Sequence, residues 1–139
     1  MPALEVVPLP VTDVDRALAF YTERAGFILD VDYHPNANFR VVQLTPPGST
    51  CSVHVVLSDL PDRVRNLCLA TTDLIAERTK LIACGVAVGE IRHKDPLETW
   101  AGGWRPGPDP RRRDYASFAD FADPDGNTWT LQERGYHAS

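Results

Sequence analysis

The sequence predicts an α+β fold made of two βαβββ modules, and three observations carry that expectation. Two octapeptides echo each other: GSTCSVHV, Gly48 to Val55, and GNTWTLQE, Gly126 to Glu133, both run Gly, small polar, Thr, one residue, Ser or Thr, aliphatic. Each overlaps a turn of the same kind, TPPGS and DPDGN. Each half also holds a helix that opens on an aspartate and closes on a glycine, Asp13 to Gly26 and Asp73 to Gly85. Agreement of cap, stop and turn at this spacing marks an internal repeat. It places the first module at 1–60 and the second at 61–139, with a long insertion at 93–114, the two forming one domain.

The elements follow in order. ALEVVPLPV reads as a strand with Val7, Leu9 and Val11 on one face, and its prolines suit a sheet edge. Asp13 can accept the free N–H groups of a first helical turn, and Val14, Ala17, Leu18, Tyr21 and Ala25 then form one apolar stripe. FILDVDY, FRVVQL and CSVHVVL complete the first module as strands. In the second, VRNLCLA is a strand, and a helix runs from Asp73 to about Cys84 with Leu74, Ile75, Leu81 and Ile82 on one side. VAVGEIR, YASFADFA and TWTLQE are the remaining strands.

Composition bounds the function. With 43% hydrophobic and 24% charged residues the chain suits a soluble globular domain, and a net charge of -5 argues against a nucleic-acid partner. Cys51, Cys68 and Cys84 cannot all pair within one chain and have no CxxC spacing, which predicts reduced, mostly buried thiols in a cytoplasmic setting. No apolar run approaches the roughly 20 residues of a membrane span, and MPALEVVPLP lacks the features of a signal peptide.

LPVTDVDRALAFYTERAGF and FADPDGNTWTLQE together resemble the vicinal oxygen chelate superfamily. That group includes glyoxalase I, bleomycin-binding resistance proteins, fosfomycin-modifying enzymes and extradiol dioxygenases. The resemblance runs from Leu4 to Glu133 and rests on Asp13, Ala17, Phe20 and Tyr21 with the Asp-Pro-Asp-Gly-Asn turn. It implies mixed sheets that curve around a central cleft, and a homodimer.

The resemblance also implies where metal ligands would stand. Two such positions lie seven residues before each capping aspartate, at Val6 and Asn66, and two lie four residues after each turn glycine, at Ser52 and Thr130. Val6 has no donor, and the other three are neutral oxygen donors where a catalytic divalent ion uses imidazoles and carboxylates. The expectation is therefore no metal and no other cofactor. A counter-reading shifts two residues along each strand to the same face, where His54, Cys68 and Gln132 stand. Glu133 falls three residues past Thr130 and so on the opposite face, a strand-end carboxylate in contact with solvent or a basic neighbour.

His93 to Asp114 breaks the repeat. A segment this long in a small domain is functional or disordered, and Trp100 and Trp104 argue against disorder. TWAGGWR can fold as a lid whose indoles close over a flat ligand, or it can pack on a partner subunit. The run Arg111 to Arg113 can meet an anionic group on a ligand, and reads more readily as solvated charge or pairing with acidic surface. Arg40 and Tyr115 are further polar candidates whose facing the strand pattern leaves open.

Two function classes follow. In the first, a metal-independent protein binds a small organic molecule, possible contacts being Arg40, Ser52, His54, Asn66, Cys68, Trp100, Trp104, Thr130 and Gln132, as the sequestering, resistance-type members of the resembled family do. In the second, the protein is an isomerase, epimerase or lyase with His54 or Tyr115 as acid or base. A metal-dependent glyoxalase or dioxygenase is third. The fold alone does not choose between binder and enzyme.

Overall fold

The computed structural model describes residues 1–60 and 62–138. The chain divides into two compact units, Met1–Val64 with Asp123–Asn127, and Arg65–Ala122 with Thr128–Ser139.

The first unit contains β1 (Val6–Val11), α1 (Val14–Ala19), β2 (Ile28–Asn36), β3 (Phe39–Thr45) and β4 (Ser52–Leu57). Its sheet runs β1-β4-β3-β2, with β1 parallel to β4 and the other pairs antiparallel. Pro8 and Pro10 are tolerated because β1 is an edge strand. Asp13 caps α1 by accepting the Arg16 amide at 3.0 Å. Past Ala19 the helix widens into a π-helical turn, Phe20–Arg24, which the 3.6-residue pattern did not foresee. Gly26 then ends it at φ 79°, and the Phe27 amide reaches back to the Tyr21 carbonyl at 2.8 Å. Leu9, Val11, Ala17, Tyr21, Val42, Leu44 and Val55 form the core on the helix side of the sheet.

The turn 123–127 belongs to this first unit and carries a buried network. Asp123 accepts the Tyr21 hydroxyl and the Asn127 side-chain amide, both at 2.8 Å, on one oxygen. Its other oxygen accepts the backbone amides of Asp125 and Asn127, both at 2.9 Å. Asn127 also donates to the Pro10 carbonyl at 2.8 Å and accepts the Val64 amide at 2.9 Å. Asp125 accepts the Thr12 amide and hydroxyl at 3.0 and 2.6 Å, and Arg16 at 3.1 Å. The two motifs that carried the family resemblance thus meet at the Tyr21–Asp123 bond.

The second unit contains β5 (Leu67–Thr71), α2 (Leu74–Ala83), β6 (Arg92–Lys94), β7 (Trp104–Pro106), β8 (Ser117–Ala122) and β9 (Thr128–Glu133), with sheet order β5-β9-β8-β6-β7. Asp73 caps α2 through the Ala76 amide at 3.1 Å, and Leu74 and Leu81 face the core. Three expectations are corrected. VAVGEIR does not form a strand: Val86 and Val88 are buried, but the run makes isolated bonds, such as the Gly89 amide to Asp120, before β6 begins at Arg92. Ile75 and Ile82 do not share the buried side of α2, each being 44% exposed one residue on from Leu74 and Leu81. Cys68 and Cys84 are exposed rather than buried, because β5 is an edge strand and Cys84 terminates α2; all three thiols are unpaired.

Glu133 turns toward α2, as strand parity required, but solvent does not reach it. It is 0% exposed, takes Arg112 at two points, both 2.6 Å, and accepts the Leu74 amide at 2.8 Å. It therefore fixes the start of α2 to the end of β9.

Candidate functional site

Strand register sorts the side chains of each sheet into a face packed on the helix and an open face. In the second unit Cys68, Thr130 and Asp120 align across β5, β9 and β8, and Ala70, Gln132, Phe118 and Arg92 align one step along. Lys94 pairs with Trp104 at the β6–β7 end of the same face. The sequence candidates Cys68, Thr130, Gln132 and Trp104 are thus brought to one surface. Asn66, at φ 58°, sits just before β5 with its amide on the Thr128 hydroxyl at 2.7 Å. It lines an open depression of about 330 Å³ together with Asp120 and Thr128.

The polar groups of this face are tied to one another. Thr130 donates to Asp120 at 2.9 Å, and Arg92 pairs with the other Asp120 oxygen at 2.9 Å. The Arg92 guanidinium also lies 4.6 Å from the Trp104 ring centre, and Trp104 meets Phe118 edge to face at 5.4 Å. Cys68 donates to the Gln132 side-chain oxygen at 3.2 Å, and the Gln132 nitrogen donates to the Tyr115 carbonyl at 3.3 Å. Although Cys68 is exposed as a residue, the surrounding protein desolvates its thiol and pushes its pKa up, away from the reactive thiolate.

In the first unit, Ser52 and His54 lie on the open face of β4, with Gln43 beside His54 and Val6 beside Ser52. The Ser52 hydroxyl is 2.6 Å from that of Thr45, which in turn donates to Asp30. Arg40 is not brought to this surface. It shares the parity of the buried Val42 and is held on the helix side by Asp32 at 2.9 Å and Asp15 of α1 at 2.7 Å. The hydrogen bonds it donates to Asp32 and Asp15 raise its pKa above the ordinary guanidinium range.

The two tryptophans of the insertion do not act alike. The segment is largely a β6–β7 hairpin, and Lys94 donates to the Thr99 and Gly102 carbonyls of its loop, both at 2.9 Å. Trp104 is 43% exposed and fixed by Arg92, Lys94 and Phe118, whereas Trp100 projects from the loop at 103%. Tyr115 stands before β8 at φ 62°, its hydroxyl accepting from Arg134 at 3.5 Å. Of the expected arginine run, Arg112 and Arg113 pair with Glu133 and Asp109, the latter at 2.9 Å.

The four positions implied for a metal do not fit a divalent ion. Val6 offers no donor, the Asn66 amide is a neutral donor, and the hydroxyls of Ser52 and Thr130 are engaged with Thr45 and Asp120. Among the described residues no group of three or more His, Cys, Asp or Glu side chains could hold one. Sequence reasoning missed Asp120, Arg92, Phe118, Thr45 and Asp30. The alternation in SFADFA was the available signal for the first and third, since it puts Phe118 and Asp120 on one face.

A family model described as Glyoxalase/Bleomycin resistance protein/Dioxygenase superfamily matches residues 3–131. The chain belongs to that superfamily. Among solved structures, this superfamily member is similar to TnmS3, an antibiotic binding protein from Streptomyces sp. CB03234, at 29% identity over 96% of both chains with a TM-score of 0.70. A glyoxalase/bleomycin resistance protein from the same organism shares 29% identity over 94% of this chain and 99% of its own, TM-score 0.67. A superfamily member from Sphaerobacter thermophilus DSM 20745, at 24% identity over 96% and 98% and TM-score 0.68, shares the fold. No curated protein matches the sequence. No helix among the described residues is long and apolar enough to cross a membrane.

Proposed function

We propose that this protein binds a small organic molecule without a metal, as a sequestering or resistance-type member of its superfamily. The observation that carries the reading is the open face of the second sheet. There, an aromatic pair, Trp104 and Phe118, lies beside the polar groups Thr130, Asp120, Gln132 and Asn66. Binding needs such a surface and a few fixed polar contacts, not a catalytic pair. Ser52 and His54 supply a second polar patch in the first unit. Likeness to an antibiotic binding protein over 96% of the chain supports the same class. The acid–base alternative has less support: among the described residues no carboxylate is bonded to His54, whose neighbour across the sheet is Gln43. The reading extends to a homodimer in the cytoplasm. Family resemblance supports the first, and three unpaired cysteines are in keeping with the second.

The test is a thermal-shift screen of antibiotics and planar aromatic compounds, run with and without a chelator. At least one compound should raise Tm equally in both, and Trp104→Ala should weaken its binding by about 1–3 kcal/mol, the scale of a large aromatic contact. Binding that vanishes with the chelator, alongside about one equivalent of retained divalent metal, would overturn the proposal.

A further inference from the structure

The hydroxyls at the echoed positions Thr130 and Ser52 have a fixed hydrogen-bond polarity. A hydroxyl carries one proton and two lone pairs, whereas a carboxylate only accepts. Thr130 lies 2.9 Å from a carboxylate oxygen of Asp120, so its proton is committed there. Asp120 is held in turn by Arg92 at 2.9 Å, which orients the acceptor. In the first unit one more hydroxyl gives the same result. Thr45 donates its only proton to Asp30. It has none left for Ser52, so in that pair, 2.6 Å apart, Ser52 must donate. Both hydroxyls are left with lone pairs alone for any further partner.

We propose that Thr130, and more weakly Ser52, are acceptor-only specificity contacts: they select ligands that present a hydrogen-bond donor, such as a phenol, an ammonium or an N–H group, and reject ethers and carboxylates at that point. The inference rests on the binding function proposed above and names its ligand chemistry. Thr130 is the stronger contact because it is half-buried, whereas Ser52 is nearly buried among its neighbours. The selection is made at Thr130 itself: the Gln132 oxygen is taken by Cys68, while Gln132 keeps one amide N–H beyond its bond to Tyr115 and Arg92 keeps guanidinium N–H groups beyond its pair with Asp120. An ether or carboxylate oxygen placed against Thr130 would set lone pairs against lone pairs and stay unsatisfied.

Four probes that share one ring system test this by NMR titration: naphthol, naphthyl methyl ether, naphthylmethylammonium and naphthoate. Naphthol and the ammonium should bind the native protein about 3- to 10-fold more tightly than the ether and the acid, the scale of one net hydrogen bond. Thr130→Val should erase that preference and Thr130→Ser should keep it, with circular dichroism melts confirming that each variant is folded. Ser52→Ala should reduce it less. Should Thr130→Val not fold, the native protein still decides, because the Thr130 β-proton signal should move with naphthol and not with its ether. Naphthoate or ether binding as tightly as naphthol overturns the inference while leaving the binding function intact. A preference that persists in Thr130→Val does the same. Binding by none of the four counts against both.

Discussion

The turns TPPGS and DPDGN look alike in sequence and differ in almost everything the structure asks of them. Each has its glycine in the left-handed region, Gly48 at φ 83° and Gly126 at φ 90°, so the backbone geometry is shared. Beyond that, residues 47–50 are exposed, and among the described residues Ser49 bonds only locally, to Cys51 and Pro46. In DPDGN the Asp123 and Asn127 side chains are buried and join β1, the π-helical turn after α1 and the chain before Arg65 into one network. Repetition of a turn motif therefore transmits a backbone shape, while the load each turn carries is set by what lies against it.

The largest way to break this comparison is Asp123→Ala. It would leave the Tyr21 hydroxyl, an Asn127 amide and two backbone N–H groups without their shared acceptor. Urea unfolding should show a loss of about 3–5 kcal/mol, the cost of breaking a buried charged network. Ser49→Ala, in the exposed turn, should stay within about 0.5 kcal/mol of the parent. Similar losses for the two would show that the turns carry equal load after all.

The shared part of the comparison is sharpened by Gly48→Ala and Gly126→Ala. A Cβ would meet no atom within 4 Å at either site, so only the positive φ opposes it. Each should cost about 1–2 kcal/mol, and the two should agree closely. A much larger loss at Gly126 would mean that the buried network also constrains the glycine's own conformation.

The smallest effect concerns acid. Burial pushes the Asp125 carboxyl up, but the Thr12 hydroxyl and amide and the Arg16 guanidinium outweigh it and hold the pKa below the ordinary value. A depressed pKa contributes stability that is complete above the unfolded-state value, about 3.9, and is lost as pH falls through the lower folded value. Melting curves should therefore show Asp125→Asn less stable than the parent at neutral pH, with the gap narrowing below about pH 3.9. A gap that does not change with pH would assign Asp125 a purely geometric role. The first-half turn has no carboxylate in this situation.

Much of the fold was legible because its signals are local. Asp13 and Asp73 cap their helices, Gly26 and Gly85 end them, and alternation in VVPLPV, FRVVQL and SFADFA gave strand faces. What was not legible depends on distant partners. VAVGEIR has strand-like residues but pairs only at isolated points, and the π-helical turn after Ala19 leaves no trace in apolar spacing. At the site, Thr130 was picked out by the echo and the family resemblance, Cys68 and Gln132 by strand parity, and Trp104 by the aromatic content of the insertion; the structure puts the four on one face of the second sheet. Arg40 could not be placed until its partners Asp15 and Asp32 were seen. Asp120 escaped notice because no motif marks it; its importance comes from lying across from Thr130.

The network around Asp123 has a consequence for synthesis. Bonds that complete the first unit join residues 102 and 117 positions apart in the chain, Tyr21 to Asp123 and Pro10 to Asn127. A ribosome making the chain releases β1 to β4 early, but their buried acceptor and donor partners come out only after β8 has been made. Until then Tyr21 and the Pro10 carbonyl must be satisfied by water or by transient partners, and long-range closure of this kind slows folding. The half that is translated first is thus finished only near the end of translation, and a fragment cut after Val64 would lack the five residues that close it.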